Sequence, residues 1–387
     1  MKIGIYGGAF NPPHRGHTDS AAEVVRALGL DRLFIVPSGT PPHKALPKDG
    51  PTGEQRLEMA RIAFRDVPGA EVSDIEVYRP GESYTVDTVR ELSARYPGAQ
   101  LFLIVGTDMY LTLRNWKDID EILSRVTPAV TLRSASAQAE IAPEAEVLRG
   151  LGVETEIIRN DAIDVSSSQV RAMLPKRQRT WHIDENVYSY IIEHGLYGAK
   201  ANFDWLRLEA YRLLKPERIR HVAGCELEAV SLAVRWGADI DEAREAGILH
   251  DITKRLDVEE QLALCERYGI EIDDIERASP KLLHSKTAAA LAFDRFNVSG
   301  DVKSAILWHT TGHADMTLLE KIIYTADYIE PNRDFDGVEE LRRLAYRDID
   351  AALIAGMDMS IADMTSRGIS PHPVTLAATG FLKERVK

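Results

Sequence analysis

The chain is poor in cysteine: Cys225 and Cys265 are the only two among 387 residues. Two thiols build no disulfide framework, so a reducing compartment is expected. It also lacks any apolar run approaching the roughly 20 residues that a membrane-spanning helix needs. Positive charge is in deficit, since 47 Lys and Arg stand against 60 Asp and Glu, a net charge of -13. A broad nucleic-acid footprint needs a basic face, which this balance argues against. A nucleotide substrate is still allowed, because a few local cations and helix ends suffice. Internal repeats and low-complexity tracts are missing as well. Met1-Lys2 runs straight into a strand pattern, leaving no room for a signal peptide. Together these absences predict a soluble cytoplasmic protein without membrane or nucleic-acid partners, with homo-oligomerisation left open.

What is present is ample apolar material, 44% of the chain, and a length that suits two or three domains. Short Val/Ile/Leu strands at Lys2–Tyr6, Leu33–Pro37, Glu71–Ile75, Leu101–Val105, Ala129–Leu132 and Glu154–Ile158 alternate with helical stretches. Alternation of this kind predicts an α/β fold, a Rossmann-like doubly wound parallel sheet, with ligands beyond the carboxyl ends of the strands. Asp184–His194 reads as a closing helix stopped at Gly195, and Gly198-Ala199-Lys200-Ala201-Asn202 as a linker. From Asp204 onward helix follows helix, with breaks near Gly237, Gly269, Pro280, Gly300, Gly312, Pro331 and Gly368. The expectation is therefore α/β plus all-α, with domains at 1–200 and 203–387.

The run Ile3-Gly4-Ile5-Tyr6-Gly7-Gly8-Ala9-Phe10-Asn11-Pro12-Pro13-His14-Arg15-Gly16-His17 reads as strand, glycine turn and helix start. The helix (Ala21, Ala22, Val24, Val25, Leu28) ends at Gly29. Such a layout brings phosphate to backbone N–H groups and to a helix's positive end. Gly7 and Gly8, lacking Cβ, admit a close ligand, and His14 and His17 flank it as donors to phosphate oxygens. This run resembles the His-x-Gly-His nucleotidyltransferase superfamily, and its Gly-Gly-x-Phe-Asn-Pro-x-His context resembles nicotinate-nucleotide adenylyltransferases. Those enzymes join the 5′-phosphate of a pyridine mononucleotide to the α-phosphate of ATP and release pyrophosphate. Ala9 replaces the threonine common there and removes one hydroxyl contact.

Other segments extend the likeness. In Pro37-Ser38-Gly39-Thr40-Pro41-Pro42-His43-Lys44 the prolines stiffen a loop while His43 and Lys44 add donors and charge. The resemblance puts Lys44 beside the mononucleotide phosphate and the triphosphate. Ser83-Tyr84-Thr85-Val86-Asp87-Thr88 opens a helix with Thr85 or Ser83 as its cap; the resemblance makes Thr85 a contact to the ring's carboxylate or amide. Gly106 at a strand end lets a nucleotide pass, and Asp108 accepts from a ribose hydroxyl or helps hold a metal. Trp116 becomes the stacking platform for the pyridine ring. Arg133 ends the fifth strand, as an exposed arginine or a phosphate neighbour.

In Val165-Ser166-Ser167-Ser168-Gln169-Val170-Arg171, capping accounts for one serine but not for three and an arginine. The run is similar to the family's Ile-Ser-Ser-Thr-x-Ile-Arg triphosphate motif, with Ser168 in place of threonine. The resemblance, which covers about Met1 to Tyr197, assigns ATP to Gly7, Gly8, Phe10, His14, His17, Gly106, Asp108, Ser167, Ser168 and Arg171. It assigns the mononucleotide to Lys44, Thr85 and Trp116. In-line displacement needs positioning and charge neutralisation, which falls to His14, His17, Lys44 and Arg171, with Mg²⁺ bridging phosphates.

The helical half has its own centre. His221, His250, Asp251, His284, His309 and Asp327 each lie in an apolar helical context. Buried charges tend to pair or bind metals, and histidine with aspartate is a transition-metal ligand set. The order His…His-Asp…His…His…Asp resembles HD-domain phosphohydrolases. Trp308-His309-Thr310-Thr311-Gly312 and Ala326-Asp327-Tyr328-Ile329-Glu330-Pro331-Asn332-Arg333 look like the YqeK-type branch. Those are dinuclear metal enzymes, usually of iron, that split diadenosine tetraphosphate into two ADP. The resemblance makes the six residues ligands to two transition-metal ions with Asp251 as the catalytic bridge, and makes Thr310, Thr311 and Arg333 nucleotide contacts. A bifunctional enzyme follows as the expectation. Two alternatives stand beside it: a helical half that senses nucleotide without turnover, and a first half of the pantetheine-phosphate type, which Thr85 and Trp116 disfavour.

Overall fold

The computed structural model describes residues 1–40, 50–132, 135–160, 163, 165–178 and 181–385. The chain forms two compact units, Met1–Lys200 and Ala201–Lys387. Lys44 and Arg133, with the Pro41–Lys44 stretch, lie outside the described residues.

In the first unit six strands, β1 (Lys2–Gly8), β2 (Arg32–Pro37), β3 (Ala70–Val72), β4 (Gln100–Gly106), β5 (Val126–Leu132) and β6 (Glu156–Arg159), form one sheet in the order β3-β2-β1-β4-β5-β6. Every pairing is parallel. Strands covered on both faces read as unbroken apolar runs, and β4 shows why. Leu101, Leu103 and Val105 enter a layer with Val86, Val89, Ile141 and Leu148, while Phe102 and Ile104 enter the opposite layer with Ala21, Val24 and Phe64. Successive side chains leave opposite faces of a strand, so one run feeds two cores. The order reverses between β1 and β4, and Tyr6 pairs with Ile104 near the carboxyl ends of both. A crevice at such a switch point is where doubly wound sheets bind ligands.

β3 stops earlier than the sequence suggests. Ser73 still donates its N–H to Ile35 O, but Val77 N then bonds Asp74 O and the chain turns. The turn carries Glu76 back toward Gly39 and Ser83.

The second unit is helical throughout its described residues. Five helices frame it: Pro216–Trp236, Ile240–Leu249, Pro280–Phe296, Gly300–Trp308 and Leu318–Ile329. Gly237 ends the first of these at φ 78, a left-handed conformation that glycine adopts without strain. Pro280 opens another at its first turn, where a missing N–H costs nothing. No described helix is long and apolar enough to cross a membrane.

Candidate active sites

The turn after β1 is built by side chains from distant parts of the first unit. Phe10 has φ 44 and is 1% exposed, its ring edge-on to Tyr6, His17 and Phe64. A Cβ on Gly8 would stand 3.1 Å from that ring, whereas one on Gly7 would meet nothing within 4 Å. The two glycines therefore do different work: Gly8 admits Phe10, and Gly7 keeps the space beside the strand open.

Arg56 is almost fully buried and donates to Ala9 O at 3.0 Å and to Gly39 O at 2.9 Å. Burial pulls its guanidinium below the usual arginine range. Arg171 donates to Asn11 O at 2.6 Å and to Ser168 Oγ at 3.0 Å, and Ser167 Oγ donates to Pro12 O. Tyr197 OH donates to Asn11 Oδ1 at 2.6 Å; burial pushes the phenol up despite Arg171 and Arg56, so it stays a donor. Three carbonyls and one amide of the turn are thus held from outside it. The serines divide their tasks, with Ser166 capping the helix Ser167–Met173.

His14 precedes the helix Arg15–Leu28 and stacks on His17 at 3.7 Å between centroids. The His14 N–H donates to His17 Nδ1 at 3.2 Å. An accepting Nδ1 leaves Nε2 as the protonated nitrogen of a neutral imidazole, and His17 lines the cavity described next. Gly16 explains the spacing of the two rings: a Cβ there would lie 2.9 Å from Ile163 O and 3.1 Å from His14 Nδ1. Gly16→Ala is expected to cost about 1–3 kcal/mol of overpacking strain and to shift His14. Thermal denaturation with turnover checks this, and an unchanged melting curve and rate would show that the turn absorbs the methyl.

Between the ends of β1 and β4 lies a cavity of about 480 Å³, within the range of small-molecule sites. Gly7, Gly8, Phe10, His17 and Ser167 line it together with Thr85, Gly106, Trp116 and Lys117. His14 is buried behind His17, and Asp108, Ser168 and Arg171 are outside the lining. The helix Thr85–Arg95 is capped by Tyr84 without a side-chain bond, and Ser83 Oγ faces Glu76 O instead, so neither Ser83 nor Thr85 is the cap. Lys117, which sequence reasoning passed over, holds its ammonium 3.9 Å from the Tyr84 ring centroid.

In the second unit the ligand-type residues sit at helix ends or one turn inside them. His250 and His309 cap the ends of Ile240–Leu249 and Gly300–Trp308, His221 and His284 lie early in their helices, and Asp327 late in Leu318–Ile329. They form two groups, His221, Cys225, His250 and Asp327, and Asp251, His284 and His309, each with ligand atoms within 4.8 Å of one another. Each histidine has its Nδ1 engaged: His250, His284 and His309 by the carbonyl three residues back, at 2.6–2.8 Å, and His221 by Glu330 Oε1 at 3.1 Å. With Nδ1–H donated, every Nε2 keeps a lone pair, and that of His284 faces the Lys254 ammonium at 3.0 Å.

The consequence tests the fit of a metal. His284 Nε2 and His309 Nε2 face each other at 3.1 Å. Burial, then the Lys254 charge, pushes His284 down to about 4, and burial lowers His309, so both are neutral at pH 7. His250 Nε2 and Asp251 Oδ1 are buried without a hydrogen-bond partner. Converging lone pairs beside a fully buried carboxylate, Asp251, and a partly buried one, Asp327, suit a divalent cation.

Three cations already stand on those carboxylates. Arg218 Nε donates to Asp251 Oδ2 at 2.5 Å, Lys254 Nζ lies 3.3 Å from Asp251 Oδ1, and Arg333 donates to Asp327 Oδ1 at 2.7 Å. Arg218, Lys254 and Glu330 were not anticipated, although Arg218 and Lys254 lie one helical turn from a ligand in sequence, at His221 and Asp251. Gly224 makes the room that Glu330 occupies, and Asn332 N donates to that carboxylate at 2.7 Å. Thr310 Oγ1 is 3.5 Å from His284 Nε2, whereas Thr311 is buried with its hydroxyl on Gly312 O. A groove of about 870 Å³ is lined by arginines (Arg220, Arg333, Arg342, Arg343) and by as many carboxylates (Asp334, Asp336, Glu339, Glu340).

Fold and sites define a doubly wound nucleotidyltransferase domain followed by an HD domain: residues 5–173 match the cytidylyltransferase-like family and residues 218–332 the HD domain. Through its first half the chain belongs to the nicotinate-nucleotide adenylyltransferase family. A probable nicotinate-nucleotide adenylyltransferase of Gemmatimonas aurantiaca is 37% identical over 199 residues, 51% of this chain and 92% of its own length. One from Geobacillus thermodenitrificans is 37% identical over 202 residues, 52% of this chain and 88% of its own. A solved structure of a predicted HD superfamily hydrolase involved in NAD metabolism, from Clostridium acetobutylicum, is 37% identical and covers 48% of this chain and all of that one, at a TM-score of 0.47.

Proposed function

We propose that the first half transfers AMP from ATP to nicotinate mononucleotide, giving nicotinate adenine dinucleotide and pyrophosphate. The second half, in this reading, hydrolyses diadenosine tetraphosphate to two ADP. The observation that carries the first part is a single cavity lined by His17 together with Trp116, Thr85 and Lys117. A 5′-phosphate oxygen of the mononucleotide attacks the α-phosphorus in line, and the bond to the bridging oxygen of pyrophosphate breaks. No covalent nucleophile is required. His17 Nε2–H, backed by His14, donates to the α-phosphate oxygens as charge builds on them. Arg171 and Lys44 take the departing pyrophosphate, whose charge Mg²⁺ bound with the ATP would help neutralise.

Lys117 deepens this reading by supplying a positive charge at the pyridine end, which favours a carboxylate over an amide on the ring. A charge-assisted hydrogen bond contributes about 1.5 kcal/mol, or about tenfold. Lys117→Gln is expected to raise KM for nicotinate mononucleotide about that much and to leave nicotinamide mononucleotide nearly unchanged. Equal effects on both would remove Lys117 from substrate choice.

For the second half the carrying observation is the cage of four Nε2 lone pairs around Asp251 and Asp327. His221, His250 and Asp327 would hold one divalent ion and His284 and His309 another, with Asp251 between them and iron the usual metal of the branch. Such ions supply an activated water and neutralise phosphate charge. Glu330 orients His221, while Arg333 and Arg220 face the groove that would take the polyphosphate. Incubating the full chain with ATP and each mononucleotide, and the metal-replete chain with diadenosine tetraphosphate, followed by chromatography, tests both halves. Absence of dinucleotide overturns the first assignment. Binding without ADP release turns the second half into a sensor.

A further inference from the structure

We propose that Cys225 is a thiolate ligand of the ion held by His221, His250 and Asp327, which gives one of the two metal positions a sulfur donor. The inference rests on the reading of the helical half as a metal cage and adds a ligand to it. Cys225 follows His221 by four residues on the helix Pro216–Trp236, and residues so spaced share a helix face. Its side chain is 2% exposed, and its sulfur lies 3.3 Å from His221 Nε2 and 4.0 Å from Asp327 Oδ1.

Those separations suit donors to a common ion. Metal–sulfur and metal–nitrogen bonds of about 2.3 and 2.05 Å put two donors about 3.1 Å apart at a right angle and about 3.6 Å apart at the tetrahedral angle. The 3.3 Å between Cys225 Sγ and His221 Nε2 lies between these limits. With Nδ1 of the same ring at 3.9 Å, the sulfur stands beside the imidazole, so ligation needs a turn about the cysteine's Cα–Cβ bond. The sulfur–Asp327 separation corresponds to an angle of about 130° on the same bond lengths. His221 Nε2 and Asp327 Oδ1, 3.0 Å apart, fit a right angle.

A second observation points into the same space. His250 Nε2 is buried without a hydrogen-bond partner and belongs to the same group of ligand atoms. Packing alone does not require sulfur here, because a buried cysteine behaves as a small apolar side chain and an alanine or valine would fill comparable space. The other group, Asp251, His284 and His309, contains no sulfur. The two positions would therefore differ in kind. Thiolate selects softer ions such as Zn²⁺ or Fe²⁺ over Mg²⁺ or Mn²⁺, and a liganding thiol is a site of oxidative inactivation.

The test uses the full-length chain stripped of metal and reloaded with Co²⁺, with bound metal measured by elemental analysis. The expected result is a thiolate-to-cobalt charge-transfer band in the near ultraviolet, lost in Cys225→Val and kept in Cys265→Ser. X-ray absorption of the wild-type chain should show a sulfur neighbour at about 2.3 Å, a readout that does not depend on the variant folding. Bound cobalt without that band or that neighbour overturns the assignment of Cys225 and leaves the cage standing. Failure of the wild-type chain to retain any metal overturns the cage itself.

Discussion

His17→Ala is expected to lower the turnover of adenylyl transfer by about 10²–10³-fold, the usual effect of deleting one preorganised donor to a developing oxyanion. The magnitude follows from the fixed tautomer. Because His17 Nδ1 accepts the His14 N–H, Nε2 carries its proton without reorganisation as charge grows on the α-phosphate. The same bond makes His17 part of the cap of the helix Arg15–Leu28, so the variant should also lose about 1 kcal/mol of stability, the typical worth of a cap. These effects are separable. Turnover at saturating substrate reads the chemistry, while circular dichroism and thermal denaturation read the fold. His17→Asn, whose side-chain oxygen can accept from the His14 N–H, should recover stability more than rate. A folded alanine variant with wild-type turnover would remove His17 from the reaction.

The sheet could be read from sequence because each strand is a short apolar run buried on both faces, and such runs are conspicuous between polar helices. Its boundaries were less visible. The end of β3 depends on Ser73 keeping one ladder bond before Asp74 and Val77 turn the chain, and nothing in Glu71–Ile75 marks that point. The strand, glycine turn and helix start were legible, but the turn's internal division of labour was not. That Gly8 yields to Phe10 becomes apparent only with Phe10 in the left-handed region and its ring folded back. Arg56 was invisible for a different reason. In Gly53-Glu54-Gln55-Arg56-Leu57-Glu58 an arginine among charged neighbours reads as solvated, yet it is buried on the carbonyls of Ala9 and Gly39.

In the helical half the residues nearest the centre were the legible ones, because a histidine or aspartate inside an apolar helical stretch breaks the pattern. The supporting residues break no pattern. Glu330 meets His221 across 109 positions of sequence, and the glycine that makes space for it, Gly224, reads as an ordinary interruption of a helix. Cys225 was legible as one of two thiols and so as a statement about redox compartment. Its position one turn after His221 gains chemical meaning only when Asp327 and His250 arrive from other helices.

If the helical half is the proposed metal-dependent hydrolase, Asp251→Asn should strip most of its metal and lower hydrolysis of diadenosine tetraphosphate by at least about 10²-fold. The estimate starts from the loss of groups that merely orient ligands, which already costs 10–100-fold. The geometry explains why a change of one atom should do so much. Asp251 Oδ1 faces His284 Nε2 at 3.2 Å and His309 Nε2 at 3.7 Å, whereas Oδ2 faces His250 Nε2 at 3.5 Å and His221 Nε2 at 3.8 Å. Each oxygen serves a different pair of imidazoles, so an amide, which keeps a single oxygen, can serve at most one. Against the opposing effect of burial, the histidines hold the Asp251 carboxyl well below the usual range, and it is therefore anionic at neutral pH. Removing that charge also leaves Arg218 without its carboxylate, and breaking a buried pair costs up to about 3–5 kcal/mol. His309→Gln is the companion variant, since it deletes one Nε2 ligand and spares the Arg218 pair. Metal content and ADP release should fall in both, while adenylyl transfer by the same molecules, carried by a unit with its own sheet and core, persists as the internal control. Full metal content and wild-type ADP release in a folded Asp251→Asn chain would show that this carboxylate does not bridge the two groups.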